Sequence, residues 1–169
     1  MARGHDRAAG REDPELVVTR VLDAPRELVF EAWTRAEHVK RWWGPRGFTI
    51  PFCEIDLRPG GVFLRCMRSP EGRDFWVTGV FREVVVPERL AFTDSFADAE
   101  GNAAPAVDYE FGPDVPVERL ITVTFEEHAG STRVTVRHDG FWTGAERDLV
   151  RQGWASGLEN LAEHLAEAA

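Results

Sequence analysis

Long apolar runs are missing from this sequence. None approaches the roughly 20 residues that a membrane-spanning helix needs, so no membrane is expected as a partner. Cationic charge is also in short supply: 20 Lys and Arg stand against 29 Asp and Glu, and the net charge of −9 repels phosphate backbones, which argues against nucleic acid. No segment carries a phosphate loop, a dinucleotide-binding glycine pattern or a zinc-peptidase helix, so neither a cofactor nor a metal is expected. Cysteine is scarce. Cys53 and Cys66 lie 13 positions apart without a CxxC, and they read as small apolar core residues rather than as a disulfide. The opening MARGHDRAAGRED holds no apolar segment of the kind found in a secretory signal, and it reads as a flexible tail over residues 1–14 of a cytoplasmic protein.

What is present fits one globular domain over residues 15–169, with 43% hydrophobic and 29% charged residues and length enough for a continuous core. LVVTRVLD, Leu16 to Asp23, is rich in β-branched residues and predicts a first strand. A helix follows at Pro25, capped by Asp23 or Ala24, with Leu28, Val29, Ala32 and Trp33 on one face. Thr34 and Glu37 are spaced as a capping box for a second short helix ending at Gly44-Pro45. Trp42 and Trp43 then share its last turn about 100° apart, so one ring belongs in the core and the other at an edge.

The turn Arg58-Pro59-Gly60-Gly61 predicts a hairpin with a two-residue loop. Leu57 then faces Val62, Ile55 faces Leu64 and Cys53 faces Cys66 on one side, while Glu54 meets Arg65 on the other. Two more strands follow, DFWVTGVFREVVV and LAFTDSF. The facing of Trp76, Phe81 and Asp94 stays open, because Val84-Val85-Val86 breaks the alternation and suggests a bulge. After the loop from Ala97 to Pro116, a second hairpin turns near His128-Ala129 and pairs Val123 with Val134, Ile121 with Val136 and Arg119 with His138. Thr143 and Glu146 open the last helix as a capping box, and Val150, Trp154, Gly157, Leu158, Leu161 and Leu165 form its stripe. Gly153 and Gly157 each cost roughly 1 kcal/mol relative to alanine in a helix, which marks a place where bulk is unwelcome. With no βαβ repeat, the class is α+β with an antiparallel sheet.

RWWGP at 41–45, DLRPGG at 56–61, MRSPEG at 67–72, GVFREVVVPERLAFT at 79–93 and GW at 153–154 resemble, in this order, the bacterial homologues of the activator of the heat-shock chaperone ATPase. These are a branch of the START-like (SRPBCC) superfamily. The resemblance implies a helix-grip fold: a curved antiparallel sheet wrapped around a long C-terminal helix, with two short helices after the first strand and an apolar ligand in the gap. Members of that fold bind lipids, sterols or polyketides, and some catalyse cyclisation. By the same resemblance, Trp42 to Pro45 form the helix-to-strand corner, Pro59-Gly60-Gly61 the tight hairpin, and Trp154 the aromatic that packs on the sheet.

The leading expectation is a cavity between sheet and C-terminal helix for a small hydrophobic or amphipathic ligand, lined by Trp43, Ile55, Leu57, Val62, Leu64, Trp76, Ile121, Val123, Val136, Trp154, Leu158 and Leu161, with Arg119, His138 or Asp94 orienting the ligand. Arg119 and His138 either hold a polar head or join an ion-pair network with Asp139 or Glu118. Asp94 either points outward or is a buried carboxylate that serves, like His138, as the proton-transfer group of a cyclase or hydrolase. Glu126, Glu127 and His128 read as a solvated turn rather than a metal site. The Ala97 to Pro116 loop reads either as a lid, with Tyr109 and Phe111 folding over the cavity mouth, or as disordered. A chaperone contact through the outer surface and a homodimer through edge strands or exposed aromatics stay open.

Overall fold

Ten elements follow one another in the computed structural model, which describes residues 15–105, 108, 116–140 and 144–168. They are β1 (Glu15–Leu22), α1 (Arg26–Thr34), α2 (Ala36–Trp42), β2 (Thr49–Ile55), β3 (Val62–Arg68), β4 (Asp74–Val85), β5 (Arg89–Ala97), β6 (Arg119–His128), β7 (Ser131–Asp139) and α3 (Gly144–Ala168). The seven strands form one antiparallel sheet in the order β1-β7-β6-β5-β4-β3-β2. All three helices pack against one face of it, which is the helix-grip arrangement. Among the described residues no helix is long and apolar enough to cross a membrane.

Alternation builds the core. β6 and β7 send Ile121, Val123, Phe125, Val134 and Val136 inward, and α3 meets them with Leu158, Leu161 and Leu165. Trp33 of α1 sits at the centre, its ring 5.0 Å from Trp42, 5.4 Å from Trp43, 5.9 Å from Phe125 and 6.0 Å from Trp154. Each such ring pair contributes roughly 0.5–1.5 kcal/mol beyond the area it buries. Trp42 is buried and donates from Nε1 to the Ala32 carbonyl at 2.9 Å, whereas Trp43 is half-buried. The adjacent indoles thus divide between core and edge.

Both hairpin registers differ from the expected pairing. In β2–β3, Ile55 faces Phe63, Glu54 faces Leu64, Cys53 faces Arg65 and Phe52 faces Cys66. The loop is wider than two residues: the Asp56 N–H donates to the Val62 carbonyl, and a Cβ on Gly61 would collide with the Asp56 carbonyl oxygen. That one-residue change turns Phe63 and Arg65 inward and leaves Val62 and Leu64 on the outer face. Cys53 and Cys66 therefore point to opposite sides, and both are free and buried. In β6–β7 the pairing moves by two, with Ile121 facing His138 and Val123 facing Val136, so every residue keeps its face. Ala129 and Gly130, at φ 52° and 88°, form the turn with the backbone twist a two-residue hairpin favours.

The bulge in β4 falls between Phe81 and Glu83, before the valine run, and it lets Phe81 point into the core. Helix capping also differs from expectation. Pro25 is itself the N-cap of α1. Thr34 donates back to the Phe30 carbonyl at 2.9 Å instead of capping α2, whose N-cap is Arg35 without a side-chain bond. The tail, the Thr143 cap, Tyr109 and Phe111 lie outside the described residues.

Candidate functional site

A cavity of about 760 Å³ opens at one end of the molecule, between the α2–β2 corner, the ends of β3 and β4, and the N-terminal half of α3. Trp43, Phe48, Met67, Phe75, Phe96 and Trp154 give it apolar walls, and the exposed Leu149 stands at its rim. The corner is built by Gly44, whose φ of +93° reverses the chain after α2. α3 is tied to that corner by two hydrogen bonds. Asn160 donates to the Gly44 carbonyl at 3.1 Å, and Ser156 Oγ accepts from the Arg46 N–H at 2.7 Å.

The two helix glycines have separable roles. A Cβ on Gly157 would meet the Gly44 carbonyl at 3.5 Å, so Gly157 allows the helix to approach the corner. A Cβ on Gly153 would meet only Pro45 Cγ, at 3.9 Å, and would otherwise point into the cavity.

Behind the cavity wall lies a buried polar cluster on the concave face of the sheet. Asp94 on β5 pairs with Arg119 on β6, and Arg119 Nη2 donates to Asp94 Oδ2 at 3.0 Å. His138 on β7 brings Nε2 to 3.9 Å from the same oxygen. Trp154 Nε1 donates to His138 Nδ1 at 3.0 Å, so the neutral imidazole carries its proton on Nε2. Burial pushes the His138 pKa down to about 4, partly opposed by Asp94 and reinforced by Arg119. Protonation at Nδ1 would place one N–H against another.

A fourth charged group, Arg65 on β3, is 4% exposed, with its guanidinium carbon 4.0 Å from the Trp43 ring and 4.4 Å from the Phe63 ring. Desolvation lowers its pKa, with Cys53 and Asp94 opposing the shift. Aromatic rings separate these groups from the cavity: Trp43 lies over Arg65, Phe96 over Arg119 with 5.1 Å between them, and Trp154 bonds His138.

Of the residues predicted to line the cavity, Trp43 and Trp154 do so. Ile55 lines a void of about 10 Å³ deeper inside. Ile121, Val123, Val136, Leu158 and Leu161 are packed core, each at most 2% exposed, and the space between sheet and helix is filled there. Val62, at 53% exposed, and Leu64 face outward by the register change, Leu57 lies in the turn beyond β2, and Trp76 packs on the outer face against Phe52 at 5.7 Å. Asp94, Arg119 and His138, proposed separately from sequence, meet in one cluster. Arg65 was missed, because the assumed register placed it opposite Glu54 on the outside.

The profile of the family described as Activator of Hsp90 ATPase homolog 1-like protein matches residues 23–166 of this chain. No curated protein matches. Among solved structures, a protein from Nitrosomonas europaea is 28% identical, with a TM-score of 0.73 over 91% of this chain and 95% of its own. The AHSA1 protein from Silicibacter pomeroyi is 23% identical, with a TM-score of 0.73 over 92% of this chain and 99% of its own. A protein from Arthrobacter aurescens is 24% identical, with a TM-score of 0.76 over 92% of this chain and 90% of its own. The latter two likenesses carry the fold alone.

Proposed function

The chain belongs to the activator of Hsp90 ATPase homolog 1-like family, and from that premise we propose that it binds a small hydrophobic or amphipathic molecule in the cavity beside α3. The observation that carries this reading is the cavity itself: about 760 Å³ with walls of aromatic and aliphatic side chains. A ligand of about 20 heavy atoms at roughly 0.3 kcal/mol per atom would bind with about −6 kcal/mol, a Kd between millimolar and micromolar.

The test is a tryptophan-fluorescence titration with fatty acids, sterols, aromatic polyketides and flavonoids, read through Trp43 and Trp154. One class should give a saturable response, and Gly153→Leu should weaken it at least tenfold, because the new side chain enters the cavity rather than the corner. A flat response to every class, or an unchanged affinity in the variant, would sink the reading.

The cyclase or hydrolase reading has less support, because Asp94 and His138 are engaged with Arg119 and Trp154 behind the cavity wall. The family's name favours a second reading, contact with a heat-shock chaperone. Such contact through the outer surface would survive Gly153→Leu and appear as direct association in a pull-down with purified chaperone.

A further inference from the structure

Arg65 is a buried cation without a buried anion of its own. The Asp94 carboxylate is held by Arg119 at 3.0 Å, and among the described residues no ion pair involves Arg65 and its Nε has no hydrogen-bond partner. The neighbouring Cys53 takes a side-chain hydrogen bond from Arg65, but burial raises the thiol's pKa, so it supplies no counter-charge at neutral pH. Two aromatic rings, those of Trp43 and Phe63, compensate part of the desolvation. A guanidinium keeps its charge and offers planar, paired donors that fit a carboxylate in bidentate fashion. It is an expensive group to place in a core unless something arrives to meet it.

The position of Arg65 shows where that partner would come from. Arg65 borders the void of about 10 Å³ lined also by Trp33, Trp43, Ile55, Phe63, Leu90 and Phe92, room for about one water. Trp43 lines both this void and the 760 Å³ cavity, so its indole is the partition between them. Met67 lies two residues along β3 from Arg65, a step of about 6.6 Å at the strand rise, and lines the cavity. An occupant of the cavity therefore ends about one side-chain row from the guanidinium.

We propose that Arg65 is the anchor for an acidic head group, and that the ligand class is an amphipathic carboxylate: apolar body in the cavity, carboxylate on the Arg65 guanidinium after the Trp43 ring has moved aside. This rests on the cavity reading above and narrows it to one chemistry. Arg119 is a poorer anchor, because its Nη2 already serves Asp94.

The experiment compares decanoate with decanol, equal in chain length and different in head group, by calorimetric titration at pH 7.5. The wild type should bind decanoate at least tenfold more tightly than decanol. Arg65→Met should bring the two within about twofold of each other while binding decanol as the wild type does. Arg65→Lys, which keeps the charge without the planar fork, should show an intermediate preference and covers the case in which the methionine variant fails to fold. Decanol binding in the wild type without a preference for decanoate, or a preference that survives in Arg65→Met, overturns this inference and leaves the cavity reading standing. Binding of neither probe by the wild type overturns this inference, and the cavity reading then stands or falls with the fluorescence titration across all four ligand classes.

Discussion

Asp94 Oδ2 is shared by two neighbours, with Arg119 Nη2 at 3.0 Å and His138 Nε2 at 3.9 Å, all three residues being nearly enclosed. A carboxylate so placed contributes less through its own attraction than through the penalty its loss exposes, an arginine left in the interior without its anion. Asp94→Ala should therefore destabilise the fold by about 3 kcal/mol in urea unfolding, and Asp94→Asn, which keeps an acceptor, by less. A loss under about 1 kcal/mol in the alanine variant would show that Arg119 does not depend on this partner. Side-chain facing was legible wherever alternation was regular, as for Arg119, Ile121 and His138. It failed at Arg65, where the parity hung on the number of residues in one turn, and a slip of one exchanges inside for outside.

At the level of elements, β4 is pressed between its neighbours at Gly79. A Cβ there would come within 2.5 Å of the Phe63 ring and would collide with the Thr93 carbonyl oxygen. Phe63 occupies the space that the missing side chain leaves, and its ring in turn supports the Arg65 guanidinium. Gly79→Ala should cost at least about 2 kcal/mol, because the backbone of β5 cannot yield as a flexible side chain would. A thermal midpoint within 2 °C of wild type would contradict the packing described, since about 1 kcal/mol moves the midpoint by roughly 2–8 °C. The order of elements and the antiparallel class were readable from turn residues and hydrophobic period. The position of the cavity was not, because it depends on how far α3 stands from the α2–β2 corner, a distance set by Gly44, Gly157 and Asn160 jointly. Edge association has one structural obstacle: β2 carries Pro51 and an irregular register between Thr49 and Phe52, both of which blunt strand addition at that edge.

For the molecule as a whole, the neutral buried His138 couples stability to pH. Its folded pKa of about 4 lies below the 6.5 of the free side chain, so between these values the unfolded chain takes up a proton that the native state refuses. The stabilisation is complete above about pH 6.5, declines as the pH falls, and is exhausted below about pH 4. At roughly 1.4 kcal/mol per pH unit it amounts to about 3 kcal/mol. Denaturant unfolding at pH 7 and pH 5 should show a smaller drop in His138→Gln than in the wild type, and equal drops would exclude this origin.

The Trp43 indole, which borders the cavity on one side and caps Arg65 on the other, also bears on time. Whatever reaches the guanidinium must wait for that ring, and the ring leaves only by giving up its contacts with the cation and with Trp33, Trp42 and Trp154. Entry to the proposed deep position should then be paced by the protein and not by supply: in stopped-flow mixing the rate should level off as ligand concentration rises, and an occupant once seated should depart slowly.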